Sequence, residues 1–211
     1  MVKKEEASMS VYQIMAIAVL SVYYIAYFAK LIGQKKRGIQ TSQLGIGEKD
    51  KKTVFIEILL SKVSIVIVIT EIVSVIYDKW FQMPNSVKIA GIILSVLGTG
   101  IFIIAMLTMQ DSWRAGIPSK DKTKLIISGI YKVSRNPAFL GFDLVYIGIG
   151  IAFFNPILAI ISVITMVLMH FQILEEEKFL AHAFGEEYKR YKKHVGRYLG
   201  CSSAGKGKET E

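Results

Sequence analysis

Long apolar runs separated by short polar stretches make up the first half of the chain. Three of these runs, at residues 10–32, 54–77 and 86–109, are each long enough for a membrane-spanning helix, which needs roughly 20 apolar residues. The first run exceeds the apolar core of a signal peptide, and no small-residue cleavage site follows it, so we expect a retained helix. The pattern predicts three transmembrane helices in this half.

A fourth apolar run, at residues 138–174, is too long for one span. Asn155-Pro156 lies at its middle, and proline cannot continue a helical hydrogen-bond ladder. We therefore expect a helical hairpin with arms at 138–154 and 156–174. Both arms are short, which favours local thinning of the bilayer or cover by protein. The predicted fold is an all-α membrane bundle of about five transmembrane helices.

Charge supports this topology and sets its expected orientation. The formal net charge is +9 and 52% of the residues are hydrophobic, but the charges lie in blocks between apolar runs, which argues against a nucleic-acid-binding surface. Of the 26 lysines and arginines, seven lie at 30–52, six at 110–137 and eight after residue 174. Basic loops favour the cytoplasm, so we expect the N-terminus outside and the C-terminus inside.

Residues after 174 change from apolar to amphipathic. Apolar and aromatic side chains recur there every three or four residues, which predicts a cytoplasmic helix on the membrane surface or against the bundle. They are Leu180, Phe184, Tyr188, Tyr191, Val195 and Tyr198. Gly185 is a plausible helix end within this run. The predicted organisation is three N-terminal helices at 1–109, a catalytic region at 110–200 and a disordered tail at 201–211.

The hairpin has a chemical consequence for its two ends. Arg135 precedes the first arm and three glutamates, Glu175, Glu176 and Glu177, follow the second. A U-turn returns both ends to one membrane surface, so an arginine and an acidic cluster are expected to face one interfacial pocket. On position alone, a second interpretation stays open: Arg135 anchors the helix at the inner surface, and the glutamates form a solvated helix end.

Several short motifs follow one another between residues 113 and 199. They are Gly129-Ile130-Tyr131, Arg135-Asn136-Pro137-Ala138-Phe139, Gly141, Asn155-Pro156, Glu175-Glu176-Glu177 and Phe184-Gly185-Glu186-Glu187-Tyr188. Their order and spacing resemble the isoprenylcysteine carboxyl methyltransferases and the related phospholipid methyltransferases. The resemblance implies a membrane enzyme that transfers a methyl group from S-adenosylmethionine to a lipidic or prenylated acceptor at the cytoplasmic interface, without a soluble nucleotide-binding domain.

The resemblance also implies roles for individual residues. Arg135 would orient an anionic group, which in the family's carboxyl methyltransferases is the acceptor carboxylate, with Glu175 and Glu176 as the other catalytic candidates. The expected cofactor-binding residues are Tyr131, Asn136, Pro137, Glu177 and Tyr188. For both tyrosines, a place in the interfacial aromatic belt is an equal alternative.

Two positions depart from the family pattern. Asn136 stands where the family usually has a cofactor-holding histidine; asparagine keeps hydrogen bonding but cannot carry charge. Phe139 stands where tyrosine is common, so a hydroxyl is missing. Cofactor binding is therefore expected to persist, whereas a proton-transfer role at position 136 is not.

Other polar positions carry weaker expectations. Lys62 and Glu71 lie inside the second apolar run, where charge is costly, and a structural partner on another helix is favoured. His170, His182 and His194 are twelve residues apart, which is not a usual metal-ligand spacing, so no metal site is expected. The Gly148-Ile149-Gly150 stretch lacks the strand of a nucleotide-binding loop and favours close helix packing.

Two other functions stay open at this point. One is a membrane reductase of the sterol-reductase type, which shares an arginine-x-proline pattern and binds a nicotinamide cofactor. The other is a non-enzymatic helical scaffold or transport subunit. The short hairpin and small size favour the methyltransferase.

Overall fold

The chain folds into a bundle of helices. The structure, a computed structural model, describes residues 9–118 and 124–200, and these contain five α-helices and no β-strand. The helices are α1 (Val11–Lys36), α2 (Lys51–Ile76), α3 (Asn85–Met109), α4 (Pro137–Ala152) and α5 (Pro156–His194). The predicted all-α fold is thereby confirmed. The predicted tail at 201–211 lies outside the described residues.

The lengths and surfaces of the helices are those of a multi-pass membrane protein. By length and composition α1, α2, α3 and α5 can each cross a membrane, whereas α4, with 16 residues, reaches about 24 Å and falls short of the ~30 Å hydrocarbon core. The outer faces carry exposed aliphatic side chains, such as Ile25 (67% exposed) and Ile65 (63%). Lipid, rather than water, suits such a surface.

Helices α3 and α4 pack closely because glycines face each other along their contact. A Cβ atom built on Gly98 would lie 2.7 Å from the Gly141 carbonyl oxygen, and Gly91 lies equally tightly against Gly148. Any larger side chain at these positions would push the helices apart. The expected packing role holds for Gly141 and Gly148 but is wrong for Gly150, which faces open space.

Helix α5 packs against α2 and is longer than predicted. Asn155 caps its start by accepting a hydrogen bond from the Ile157 amide, 2.8 Å away, as the turn expected at Asn155-Pro156 requires. The predicted end near Leu174 is wrong, because the helix continues through the glutamates, which are good helix formers and find partners there. The break comes at Gly185, whose φ of 49° kinks the helix. The amphipathic helix is thus a kinked continuation of α5.

The two charged positions inside α2 have different environments. Glu71 is completely buried and accepts a hydrogen bond from the Tyr24 hydroxyl on α1, so it has the structural partner expected for it. Lys62 is exposed on the outer surface of the helix. A long lysine side chain can reach towards the membrane surface from such a position.

The bundle has two ends with different connections. At the turn end, defined by residues 77–84 and 153–155, short turns join α2 to α3 and α4 to α5. At the loop end, defined by residues 37–50, 110–118 and 124–136, longer segments cover the helix ends. Backbone hydrogen bonds join these segments, from the Gln43 amide to the Ala115 carbonyl at 2.7 Å and from the Ala115 amide to the Thr41 carbonyl at 2.9 Å. The candidate site lies at the loop end.

Candidate active site

A buried ion pair joins the two ends of the α4–α5 hairpin. Arg135 precedes α4 and Glu177 lies on α5, and Arg135 Nη2 is 3.0 Å from Glu177 Oε1. Both side chains are almost fully buried, at 7% and 5% exposed. The arginine and the acidic cluster therefore share one region, and neither is a solvated surface group.

Arg197 completes this ion pair from the other side. Its Nε and Nη2 atoms donate to the two carboxylate oxygens of Glu177, each at 3.0 Å, in a paired geometry. The hydrogen bond to Glu177 raises the pKa of Arg197, which stays charged. Lys192 Nζ approaches the same carboxylate at 3.7 Å. Glu177 is thus held by three cations and fixes the position of Arg135.

The segment after α5, residues 195–200, closes over this ion pair and is named here the C-terminal strap. The Arg135 amide donates to the Gly196 carbonyl at 3.0 Å, and the Asn136 side-chain amide donates to the Arg197 carbonyl at 3.1 Å. Further along the strap, the Tyr198 hydroxyl is hydrogen-bonded to His170 Nδ1 on α5 at 2.7 Å. Asn136, at the family's histidine position, therefore ties the strap to the start of α4.

A partly open cavity lies beside Arg135 between the end of α3, the start of α4 and the α5 kink. Its walls are mainly aromatic and apolar, and the charged residues that line it are Arg114, Lys124, Arg135 and Glu176. The aromatic lining residues are Trp113, Tyr131, Phe139, Tyr188 and Tyr191. Such a mixture of apolar walls and a few polar groups is typical of a small-molecule site.

Several polar atoms at this cavity are buried without a partner. Among the described residues, Arg135 Nε, Arg135 Nη1 and the Tyr188 hydroxyl make no hydrogen bond. Buried polar groups are nearly always paired, so unpaired donors that line a cavity indicate a ligand-binding place. Burial raises the pKa of the Tyr131 phenol, which therefore stays neutral, and its backbone carbonyl accepts a hydrogen bond from the Tyr191 hydroxyl at 2.6 Å.

The three consecutive glutamates point in three directions, because successive helical residues are rotated by about 100°. Glu176 lines the cavity and accepts a hydrogen bond from Gln172 at 3.1 Å. Glu175 faces α2 instead, with Lys52 Nζ 3.3 Å from its carboxylate. Of the two predicted catalytic glutamates, the structure brings Glu176 to the cavity and places Glu175 outside it.

The remaining predicted residues divide in the same way. Tyr131, Asn136 and Tyr188 line the cavity, and both tyrosines are buried rather than facing lipid. Pro137 is the first residue of α4 and does not line the cavity. Glu177 does not line it either and instead forms an ion pair with Arg135. The histidines lie apart, and no group of three His, Cys, Asp or Glu side chains within 9–118 and 124–200 is arranged to hold a metal ion.

Sequence reasoning did not assign three residues at this site. Trp113 is buried in the cavity wall, shortly after the third apolar run. Arg197 lies nine residues after the last of the motifs and was not among the residues to which the resemblance gave a role. Gln172 carried a weaker signal: it is one polar side chain within an apolar stretch, one helical turn before Glu176.

Comparison with known proteins supports the family resemblance. Residues 87–187 match the phospholipid methyltransferase family. The chain is 32% identical over 109 residues to the protein-S-isoprenylcysteine O-methyltransferase of Rattus norvegicus and 34% identical over 113 residues to that of Saccharomyces cerevisiae. It is also 31% identical over 123 residues to a probable protein-S-isoprenylcysteine O-methyltransferase of Oryza sativa subsp. indica. The resemblance expected from the motifs is confirmed.

These matches cover part of each protein. They include 50%, 51% and 56% of this chain, and 38%, 46% and 61% of the rat, yeast and rice proteins, in that order. The chain therefore spans less than two thirds of the length of these relatives. The family match at 87–187 contains the cavity residues from Met109 to Leu180 and ends before Tyr188 and Tyr191.

Proposed function

We propose, on the premise that this chain resembles the phospholipid and isoprenylcysteine methyltransferases, that it is an integral membrane methyltransferase dependent on S-adenosylmethionine. It transfers the methyl group to a lipidic or prenylated acceptor at the cytoplasmic membrane interface. The observation that carries this proposal is one cavity lined by Glu176, by aromatic side chains and by Arg135, two of whose nitrogens have no hydrogen-bond partner.

The cavity residues fit the charges of this cofactor. S-Adenosylmethionine carries a cationic sulfur, a cationic amino group and a carboxylate, and it supplies an activated methyl group. Aromatic faces of Tyr131 and Tyr188 attract cations, and Glu176, when ionised, would add a negative charge. Asn136 contributes an uncharged hydrogen-bonding side chain on the same wall. These four residues would hold the cofactor.

Arg135 would orient the acceptor. Its Nε and Nη1 atoms make no hydrogen bond, and a charge-assisted hydrogen bond from either nitrogen would orient a carboxylate. A carboxylate is already ionised at neutral pH, so its oxygen can form the new O–C bond while the S–C bond breaks, without a general base. If the acceptor is an amine, Glu176 is the group placed to take the released proton.

Catalysis of this kind comes mainly from alignment. The nucleophile, methyl carbon and sulfur must lie in line, and a closed, water-poor site favours that arrangement. Apolar cavity walls formed by Met109, Phe139 and Leu180 suit the hydrocarbon part of a lipidic acceptor. A water-soluble cofactor would reach the same cavity from the aqueous side of the loop end.

The orientation of the protein follows the charge bias. We propose that the loop end, which carries most lysines and arginines, faces the cytoplasm, with the N-terminus outside and the C-terminus inside. In this arrangement residues 110–200 form the catalytic region, and the helices within 1–109 hold it in the membrane. Protease accessibility of a C-terminal tag in sealed inside-out vesicles tests the orientation. Cleavage is expected, whereas protection would reverse the assignment.

The function is tested by methyl transfer in membranes that contain the protein. Membranes are incubated with S-adenosylmethionine labelled in the methyl group, with prenylated cysteine and phospholipid acceptors added separately. Label is expected in one acceptor class and absent with the Arg135→Ala variant. If no label enters any lipid or peptide, the proposal fails, and the reductase and scaffold alternatives become the leading hypotheses.

A further inference from the structure

A buried carboxylate on α2 connects three segments at the loop end. Glu57 is completely buried, and its Oε2 atom accepts hydrogen bonds from the Gly45 amide at 2.7 Å and from Lys49 Nζ at 2.6 Å. Its Oε1 atom accepts from the Ile117 amide at 2.9 Å and from Gln172 Nε2 at 3.3 Å. The carboxylate is therefore fully hydrogen-bonded and holds α5 and both covering segments together.

Gln172 continues this network to the cavity. Its Nε2 atom donates to Glu57 at 3.3 Å and also to Glu176 at 3.1 Å, while its side chain is 1% exposed. An amide nitrogen has two N–H groups, so one Gln172 side chain can serve both carboxylates. Because carboxylates only accept, the amide must turn its NH₂ group towards them.

The network explains how Glu176 is held. Within the described residues, Glu176 has neither an ion pair nor any other side-chain hydrogen bond. Its neighbours on the helix are fixed by cations, Glu175 by Lys52 and Glu177 by Arg135 and Arg197. The direction of the Glu176 carboxylate therefore depends on Gln172, and that of Gln172 on Glu57.

We propose that Glu57 and Gln172 are positioning residues that aim the Glu176 carboxylate into the cavity. This inference rests on the proposed function and adds to it two residues outside the motifs that resemble the family. The same Glu57 carboxylate fixes Ile117, four residues after Trp113 in the cavity wall, so it aligns two sides of the site. Neither residue touches the cavity itself.

A double-mutant cycle on the full-length protein tests this directly. Gln172→Met keeps the size of the side chain but removes both hydrogen bonds. We expect kcat/KM for S-adenosylmethionine to fall by roughly tenfold, the factor that corresponds to one hydrogen bond to a charged group. In the Glu176→Gln background, the same change is expected to have less than about a twofold effect, because residues that act through one another are not additive.

The matched control is Thr165→Val, which alters another buried polar side chain of α5. The Thr165 hydroxyl bonds its own helix, at the Ile161 carbonyl 2.7 Å away, so activity is expected to stay unchanged. Melting curves without ligand accompany each variant. If Gln172→Met does not fold, Gln172→Asn takes its place, since its shorter amide cannot reach both carboxylates.

The outcomes separate the two proposals. If the wild type methylates an acceptor and the losses from Gln172→Met and Glu176→Gln multiply independently, the positioning role is wrong and the proposed function stands. Full activity of Gln172→Met leads to the same conclusion. If the wild type is inactive with every acceptor and S-adenosylhomocysteine does not raise its melting temperature, the proposed function fails, and the positioning role fails with it.

Discussion

The two ends of the bundle differ in how far their buried polar groups are hydrogen-bonded or paired. At the turn end the polar side chains at the turns satisfy one another: Lys88 pairs with Asp78, and the Asn155 amide donates to the Ser74 hydroxyl at 3.2 Å, whereas Glu71 Oε1 and Ser162 Oγ, deeper in the helices, have no partner. At the loop end Arg135 and Tyr188 keep buried donors without a partner among the described residues. The first end is a structural closure, whereas the second has the features of a binding site.

The energetic difference between the ends is large enough to matter. Each buried polar atom without a partner lowers the folding stability by about 1–3 kcal/mol. The unpaired atoms at the loop end therefore lower the stability of the ligand-free protein by several kcal/mol. A ligand that pairs these donors recovers that free energy. Unpaired buried donors beside a cavity at the loop end are therefore an argument for function at that end.

The largest expected effect comes from Arg135→Ala. Removing the guanidinium deletes the free donors, and we expect methyl transfer to fall at least ~100-fold, as when a preorganised donor is lost from an active site. The measurement is transfer of labelled methyl at equal amounts of inserted protein. Glu177 stays paired with Arg197, so the fold is expected to persist. If Arg135→Ala keeps activity within tenfold of the wild type, Arg135 is not an active-site residue.

The next effect distinguishes neighbouring glutamates. Glu176→Gln removes a charge from the cavity, and we expect activity to fall by about 10–100-fold if the carboxylate balances the cationic cofactor or accepts a proton. Glu175→Gln, one residue earlier and facing α2, is expected to change activity less than about twofold, since its partners are surface lysines. Equal losses in both variants would contradict the orientation of α5 described here.

A smaller effect is expected from the strap. Arg197→Met removes two hydrogen bonds to Glu177 and so loosens Arg135; we expect roughly a tenfold loss of kcat/KM, with partial recovery in Arg197→Lys. Recovery is partial because lysine cannot donate in the paired geometry of arginine. Steady-state kinetics of the wild type and of the two variants measure both the loss and its recovery. Equal activity with Met, Lys and Arg at this position would show that the Arg197 side chain has no part in the site.

The smallest effect on activity is expected at the turn end. Lys88→Met leaves Asp78 unpaired, which we expect to lower stability by about 3 kcal/mol, while activity per folded molecule stays within about twofold. Adding Asp78→Asn should restore most of the stability. Thermal melts and activity on the same samples measure both. A large loss of activity in Lys88→Met with unchanged stability would contradict a purely structural role of the turn end.

Periodicity and turn chemistry were enough to predict the helices. Apolar run length placed all five, and Asn155-Pro156 placed the turn that brings Arg135 back to the acidic cluster. The end of α5 was predicted too early, because a change from apolar to charged sequence marks the limit of an apolar stretch and not of a helix. Only Gly185, with its positive φ, interrupts the helical backbone.

The arrangement within the site was less predictable. Which of three adjacent glutamates faces the cavity depends on the rotation of α5 about its axis, and that rotation is set by contacts with α2 such as the Thr53 hydroxyl to Glu175, at 3.4 Å. Arg197, twenty residues beyond Glu177, reaches its partner because the Gly185 kink turns the chain back. Neither feature follows from local spacing.

Ligand binding to the detergent-solubilised full-length protein tests the central claim most directly. If the loop-end cavity is a methyltransferase site, S-adenosylhomocysteine raises the melting temperature by mass action, and Glu176→Gln reduces that shift while Lys88→Met does not. NADPH leaves the melting temperature unchanged. A shift with NADPH instead, or no shift with either ligand, would contradict the account.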